Sequence, residues 1–387
     1  MTYSELASGF CFEMPDYAKE LYPSFEAEYD PVSNALDEND AMLVAESASL
    51  PEDGKAALLE CVRKINSSRD SSLKAKFLIH ITVKKRHPWQ NRIYTDRLFD
   101  VPGLMPEQVG WVIVAAALAN TVKNKKPPEG LNRENLNAFH GYSRSCFEQK
   151  GYWGILEWSW NMLCAGGCMF VFGVLKFVPG EFGNDFRVIT DGKCYVSLAN
   201  GEYFVDPAGA LTEDQSEAVC RTSVEEDAET ISAHVISARG TVETKRTSFP
   251  KSVWKDFLRN GSPTLDIHIP PKVEYTPERI KESCEEALAF YRRFYADFEP
   301  KAIAGYSWIF SPQLKKVLPE NGNILSVNRS LHILPCIGTY DSGCRFLRPG
   351  SSLQKRIKDE CANGVRFHYA VMYAPVGEIE TFGKETE

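Results

Sequence analysis

Hydrophobic positions in the first 167 residues recur at the spacing of a helix surface. Ala57, Leu58, Cys61, Val62 and Ile65 form one stripe of an amphipathic helix beginning near Pro51. Met105-Pro106-Glu107-Gln108 opens a second helix, with Pro106 in the first turn and Glu107 favourable to the helix dipole. Its body, VGWVIVAAALANTV, is apolar all round and fits the centre of a bundle. Lys123 to Pro128 end it, and Asn132 is a candidate cap for the helix that follows. The run Lys74–Val83 is readable either as a strand or as a buried helix. Trp153, Trp158 and Trp160, spaced by Gly151 and Gly154, fit packing between helices.

After about Cys168 the pattern changes to alternation. Residues 169–178 read as a strand, and 186–206 as a small meander punctuated by Asp191-Gly192 and Asn200-Gly201. The acidic stretch 213–229 reads as a solvated link, and 230–249 as two strands about a Gly240 turn. Leu265–Ile269 is a further strand, stopped by Pro270-Pro271. Thr276 then caps a helix with Pro277 in its first turn and a stripe of Ile280, Cys284, Leu288, Tyr291 and Tyr295. Beyond it the pattern gives a strand over 302–310, a short helix over 312–317, one or two strands over 323–334, and a strand over 344–347. A helix over 352–362 ended by Asn363-Gly364 and a strand over 365–373 complete the chain. Mixed order with consecutive strands predicts an α+β chain: a helical domain over 1–167, then a mostly antiparallel sheet flanked by helices over 168–387, with a β-hairpin insertion near 186–250.

Composition narrows the partners. A chain of 387 residues, 43% apolar and 12% aromatic, has material for two cores. With 44 basic against 52 acidic residues and a net charge of -8, it lacks the basic field that nucleic acid requires. The eleven cysteines are scattered and never form C-x-x-C, so neither a disulfide framework nor a thiolate metal site is expected. No H-E-x-x-H or acidic cluster suggests a metal. The first twenty residues lack a signal-peptide pattern, and the apolar runs near 109–119 and 164–178 are too short or too glycine-broken for a bilayer. A reduced, cytoplasmic protein with no membrane contact is the expectation. Oligomeric state is not encoded in any pattern seen.

The stretches GYWGILEWSW (151–160), LDIHIP (265–270), EEALAFYRRFY (285–295), GYSWIFSP (305–312), LPENGNI (318–324) and GSSLQKRI (350–357) occur in an order that resembles a bacterial two-domain family. That family pairs a helical acyltransferase-type domain with a domain like the general-control N-acetyltransferase (GNAT) superfamily. The resemblance implies a mixed sheet splayed between two strands, with acyl-CoA or acetyl-CoA as co-substrate in the gap and an amine of a small molecule or peptide as acceptor. The superfamily's phosphate loop, R/Q-x-x-G-x-G/A, has RPGSSLQ as its nearest counterpart, without the second glycine. There Gly350 would allow close approach, Ser351 and Ser352 would present helix-start amides and Arg348 would add charge. The same serines also suit a plain helix cap.

Acyl transfer to an amine needs a polarised carbonyl, a base for the amine and an acid for the thiolate. His268, His332 and Tyr373, on strands or strand ends, are candidates, and the two histidines are also readable as core residues with a satisfied hydrogen bond. Tyr306 and Trp308 are candidate walls of an acceptor pocket. Nothing in the spacing supports a Cys336 or Cys344 nucleophile. The second reading, from the incomplete phosphate loop, is a catalytically silent GNAT-fold module that binds a peptide, glycan or protein.

Overall fold

The computed structural model describes residues 2–29, 36–84, 93, 95–124, 129–167, 169–183, 185–344 and 346–383. The chain divides into two compact units, Met1–Val171 and Phe172–Glu387.

The first unit holds α1 (Tyr3–Ala7), α2 (Asp16–Glu28), α3 (Glu38–Ser47), α4 (Glu52–Asn66), α5 (Arg69–Lys84), α6 (Pro106–Asn124), α7 (Glu129–Lys150) and α8 (Trp158–Ala165). The nearly all-apolar α6 is buried from Val109 to Ala119, as a helix without a polar face must be. The ambiguous run over 74–83 lies inside α5, where Phe77, Leu78 and Ile81 are fully buried. α7 begins at Glu129, so position 132 lies inside the helix and not at its start. Trp153 stacks on Trp111 and donates its indole N–H to Asp53 Oδ2 at 2.9 Å. Among the described residues no helix is long and apolar enough to cross a membrane.

The chain enters the second unit through β1 (Phe170–Phe172). It continues with β2 (Leu175–Phe182), β3 (Phe186–Thr190), β4 (Tyr195–Ala199), β5 (Phe204–Val205), β6 (Leu211–Thr212), β7 (Cys220–Arg221), β8 (Val224–Glu226), β9 (Thr230–Ile236), β10 (Val242–Pro250), β11 (Lys255–Leu258) and β12 (Ser262–His268). Then come α9 (Pro277–Phe294), β13 (Ala302–Ser307), α10 (Asn323–Arg329), β14 (His332–Tyr340), α11 (Ser352–Ala362) and β15 (Phe367–Pro375). The main sheet runs β2-β12-β13-β15-β14, mostly antiparallel and flanked by helices, so the α+β class stands. A second sheet, β10-β9-β4-β3-β11 with β8 on β9, and a small third one, β6-β5-β7, lie between β2 and β12 in sequence. The second sheet packs Val188, Ala199 and Leu258 against Ala302, Leu334, Val371 and Tyr373 of the main sheet.

Several local expectations yield to tertiary context. Residues 323–329 form α10, where an apolar run suggested a strand. Val327 is fully buried, and Asn328 donates to the Ile309 carbonyl at 2.8 Å. Among the described residues of 344–347 no strand forms: Cys344 N–H donates to Asp341 O and Leu347 N–H to Cys344 O. Gly173, at φ +52, splits the 169–178 strand in two. Asn200-Gly201 closes no hairpin, since both amides bond the Asp185 carbonyl, β4 pairs with β9 and β5 joins the third sheet. The 213–229 stretch carries β7 and β8. Trp308–Phe310 leaves the strand as a 3-10 turn.

Candidate functional site

The alternation of SPTLDIH decides how β12 is used. Leu265 and Ile267 are buried on the side of α9, so Thr264, Asp266 and His268 point to the opposite face. Helix α9 follows, capped by Thr276 with Pro277 first, and buries Ile280, Cys284 and Leu288. The chain then returns as β13, parallel to β12, as a strand–helix–strand crossover does.

That parallel pairing is short. Thr264, Leu265 and Asp266 pair with Ala302, Ile303 and Ala304, and there it stops. β12 stays paired with β2 as far as His268–Lys176, and β13 with β15 as far as Ser307–Ala370. Residues 267–268 and 305–307 are therefore held by their outer neighbours while no longer pairing with each other. The sheet opens between them, at the carboxyl ends of two parallel strands, the position where sheets with such crossovers receive ligands. On the α9 side the opening is lined at Gly305, where a Cβ would meet Ile267 Cγ1 at 3.1 Å and Met372 Cε at 3.2 Å.

On the other face one row of side chains crosses the sheet. Asp266 pairs with Ala304, Ala304 with Tyr373, and Tyr373 with His332. Asp266 Oδ1 accepts the Thr264 hydroxyl at 2.8 Å, and its carboxylate lies over Gly180, where any Cβ would stand 2.4 Å from Oδ2. His332 stacks on Tyr373 at 4.7 Å, and its Nε2 lies 3.0 Å from Glu378 Oε2. The Tyr373 hydroxyl meets Ser197 Oγ of β4 at 2.8 Å; its side chain is 0% exposed, and burial pushes the phenol pKa up. Register thus brings His332 and Tyr373 together, but under the second sheet. His268 sits half-buried at the opening, on the same face as Asp266.

Tyr306 is 61% exposed and stacks on Tyr369 at 5.4 Å, beside the opening. Trp308 instead packs edge-on against Tyr340 in the cluster that receives α11. Burial pushes the Cys336 thiol up to about 11, which disfavours the thiolate a nucleophile needs.

The Arg348–Ser352 turn precedes α11, between β14 and β15, at the same end of the sheet as the opening. Gly350 is at φ +72. Its N–H donates to Gln354 Oε1 at 2.8 Å, and Ser351 Oγ accepts from Gln354 N–H at 3.2 Å. The first turn of α11 is thus capped from within. The helix that follows the open strand is α9, and its approach is unlike a phosphate cradle. Residues 269–277 contain no glycine; Pro270, Pro271 and Pro277 lack N–H groups, and Glu274 pairs with Arg279 at 3.3 Å. Sequence reading missed Asp266, although a carboxylate between Leu265 and Ile267 in a strand is itself a signal. Among the described residues no metal-binding group of side chains converges.

The family model for the GNAT-like C-terminal domain matches residues 169–368. No curated protein matches the sequence. Among solved structures, an acyltransferase mutant in complex with octanoyl-CoA is similar, with TM-score 0.57 and 13% identity over 97% of this chain and 99% of that one. An acyltransferase in complex with decanoyl-CoA and teicoplanin gives TM-score 0.54 and 14% identity over 94% and 96%. At such identities the likeness is one of fold.

Proposed function

The chain belongs to the GNAT-like C-terminal domain family, and from that premise we propose that it is an acyl-CoA-dependent N-acyltransferase acting on an amine of a small molecule or peptide. The observation that carries this reading is the opening between β12 and β13 beyond Asp266 and Ala304. A thioester seated there would set its carbonyl against backbone N–H groups of residues 305–307, which supply the polarisation that acyl transfer needs. The relatives of similar fold in complex with acyl-CoA support the donor class.

Asp266, with His268 two residues on, is the proposed base. It takes a proton from the incoming ammonium; the freed amine nitrogen bonds to the carbonyl carbon; the C–S bond then breaks, and the second proton of that nitrogen passes to the departing thiolate, leaving a neutral amide and the CoA thiol. Tyr306 offers an exposed ring to the acceptor. Arg348 and the Gly350–Ser352 turn, at the same end of the sheet, are the proposed contacts for the diphosphate, chiefly through the Arg348 charge, since the Gly350 and Gln354 amides are engaged. Calorimetry of the full chain with acetyl-CoA and CoA tests the donor site. Measurable binding that weakens in Arg348→Ala supports it, and no binding at millimolar ligand removes the enzyme reading. Asp266→Asn should then cut turnover about 10²-fold or more while leaving CoA affinity unchanged.

One observation favours the rival reading, a silent binding module: the three prolines, the absent glycine and the acidic Glu274 and Glu278 at the start of α9 offer little to a phosphate. Binding of peptide or glycan without any CoA affinity would select it.

A further inference from the structure

The helical unit carries a cleft of its own. Helix α2 lines it with Tyr22, Phe25 and Tyr29, which share one helix face, and α5 contributes Leu73 from the opposite side. Leu6 of α1, Phe25 and Leu73 are buried and form its bottom, while Tyr22 and Tyr29 are half-buried along its wall. The rings make a continuous surface: Phe25 stacks on Tyr29 at 5.3 Å and lies tilted against Tyr22 at 6.3 Å. The space measures about 380 Å³, at the lower end of the roughly 300–1,000 Å³ of small-molecule sites. A single small ligand fits that size.

The rim is charged. Asp70 is held by Lys74 at 2.7 Å, and Glu28 on the same two helices is held by Lys84 at 2.9 Å. Glu26 and Arg69, which also line the cleft, are exposed and have no ion-pair partner among the described residues. Arg69 is the first residue of α5, where the amides of the first turn also favour an anion. A carboxylate suits that end. Glu26 lies one turn from both Tyr22 and Tyr29 on α2, so a carboxylate and two aromatic rings stand together where an ammonium would be attracted.

We propose that this cleft binds a free aromatic α-amino acid, with its ring against Phe25 and the two tyrosines, its carboxylate at Arg69 and its ammonium at Glu26. The opposite charges at the rim select a zwitterion, and the uncharged aromatic interior selects its side chain. The inference stands on the helical unit alone and does not rest on the donor site.

Ligand-observed NMR titration of the full chain tests it with L-phenylalanine and three fragments of it: phenylpropionate without the ammonium, phenethylamine without the carboxylate, and L-alanine without the ring. L-Phenylalanine should bind at millimolar concentration, and each fragment at least about 5-fold more weakly, as the loss of one charge pair or of the ring contact requires. Arg69→Ala should weaken L-phenylalanine and phenylpropionate and leave phenethylamine unchanged. Glu26→Gln should weaken L-phenylalanine and phenethylamine and leave phenylpropionate unchanged. Both side chains are exposed, so neither substitution should move the Tm. The fragment comparison needs no variant and stands even where one fails to fold. Absence of L-phenylalanine binding at millimolar concentration overturns the site. Binding that survives both substitutions, or that is equal for all four compounds, overturns the charged rim and with it the amino-acid class.

Discussion

Tyr373 is the residue at which burial and chemistry make opposite demands. Its hydroxyl meets Ser197 Oγ at 2.8 Å, its ring stacks on His332, and its side chain is sealed between the two sheets. Tyr373→Phe keeps the ring and removes one oxygen, leaving the buried Ser197 without that partner. A hydrogen bond of this kind contributes about 0.5–1.5 kcal/mol net, but an abandoned buried hydroxyl costs about 1–3 kcal/mol, so the single substitution should destabilise by roughly 1–2 kcal/mol. For a unit of roughly 200 residues, Phe172–Glu387, that is a fall in Tm of about 2–8 °C at about 2–4 °C per kcal/mol. Removing both partners restores balance: Tyr373→Phe with Ser197→Ala should recover most of the loss, giving a coupling of about 1 kcal/mol in a double-mutant cycle followed by urea or thermal melting. A vanishing coupling would refute the structural role. So would a Tyr373→Phe protein of unchanged Tm whose acyl transfer drops more than about 100-fold, the mark of a proton-donating phenol.

Acid stability should follow the Glu226 cluster. Arg187 and Lys251 hold the Glu226 carboxyl down to about 2, and its folded value lies below its unfolded one. The stabilisation is therefore present above the unfolded carboxylate pKa and is lost as pH falls through the folded value, and Arg187→Met should flatten stability between about pH 4.5 and 2. Tyr275→Phe removes a buried hydroxyl that has no partner among the described residues and should raise Tm, by up to about 1–3 kcal/mol of stability; a lower Tm would show that the hydroxyl is satisfied. Thr276→Ala removes the cap on Arg279 N–H, a bond of 3.4 Å, and should cost about 0.5–1 kcal/mol in urea unfolding. No change in the midpoint would mean that the cap contributes nothing.

Helix α9 was legible from the chain in full: Thr276, Pro277 and the stripe of Ile280, Cys284, Leu288 and Tyr291 act within one or two turns, and the helix forms where they place it. The helix Ser352–Ala362 was legible for the same reason, and the strand read over Leu265–Ile269 overlaps β12, which starts three residues earlier at Ser262 and ends at His268. Short apolar runs were not: Asn323–Arg329 has the composition of a strand and became a helix because Val327 and Asn328 find their partners in that form. Nor could periodicity say that the pairing of β12 and β13 ends after Asp266 and Ala304. The row from Asp266 to Tyr373 and His332 joins residues far apart in the chain through strand order and register. Local sequence sets which side chains share a strand face; only packing against β2 and β15 decides which strands are neighbours and where they part. The sequence by itself therefore determined the elements that carry their own period and stop signals, and the family likeness, while the short apolar runs, the lapse in pairing between β12 and β13 and the covered tyrosine were decided by the tertiary structure.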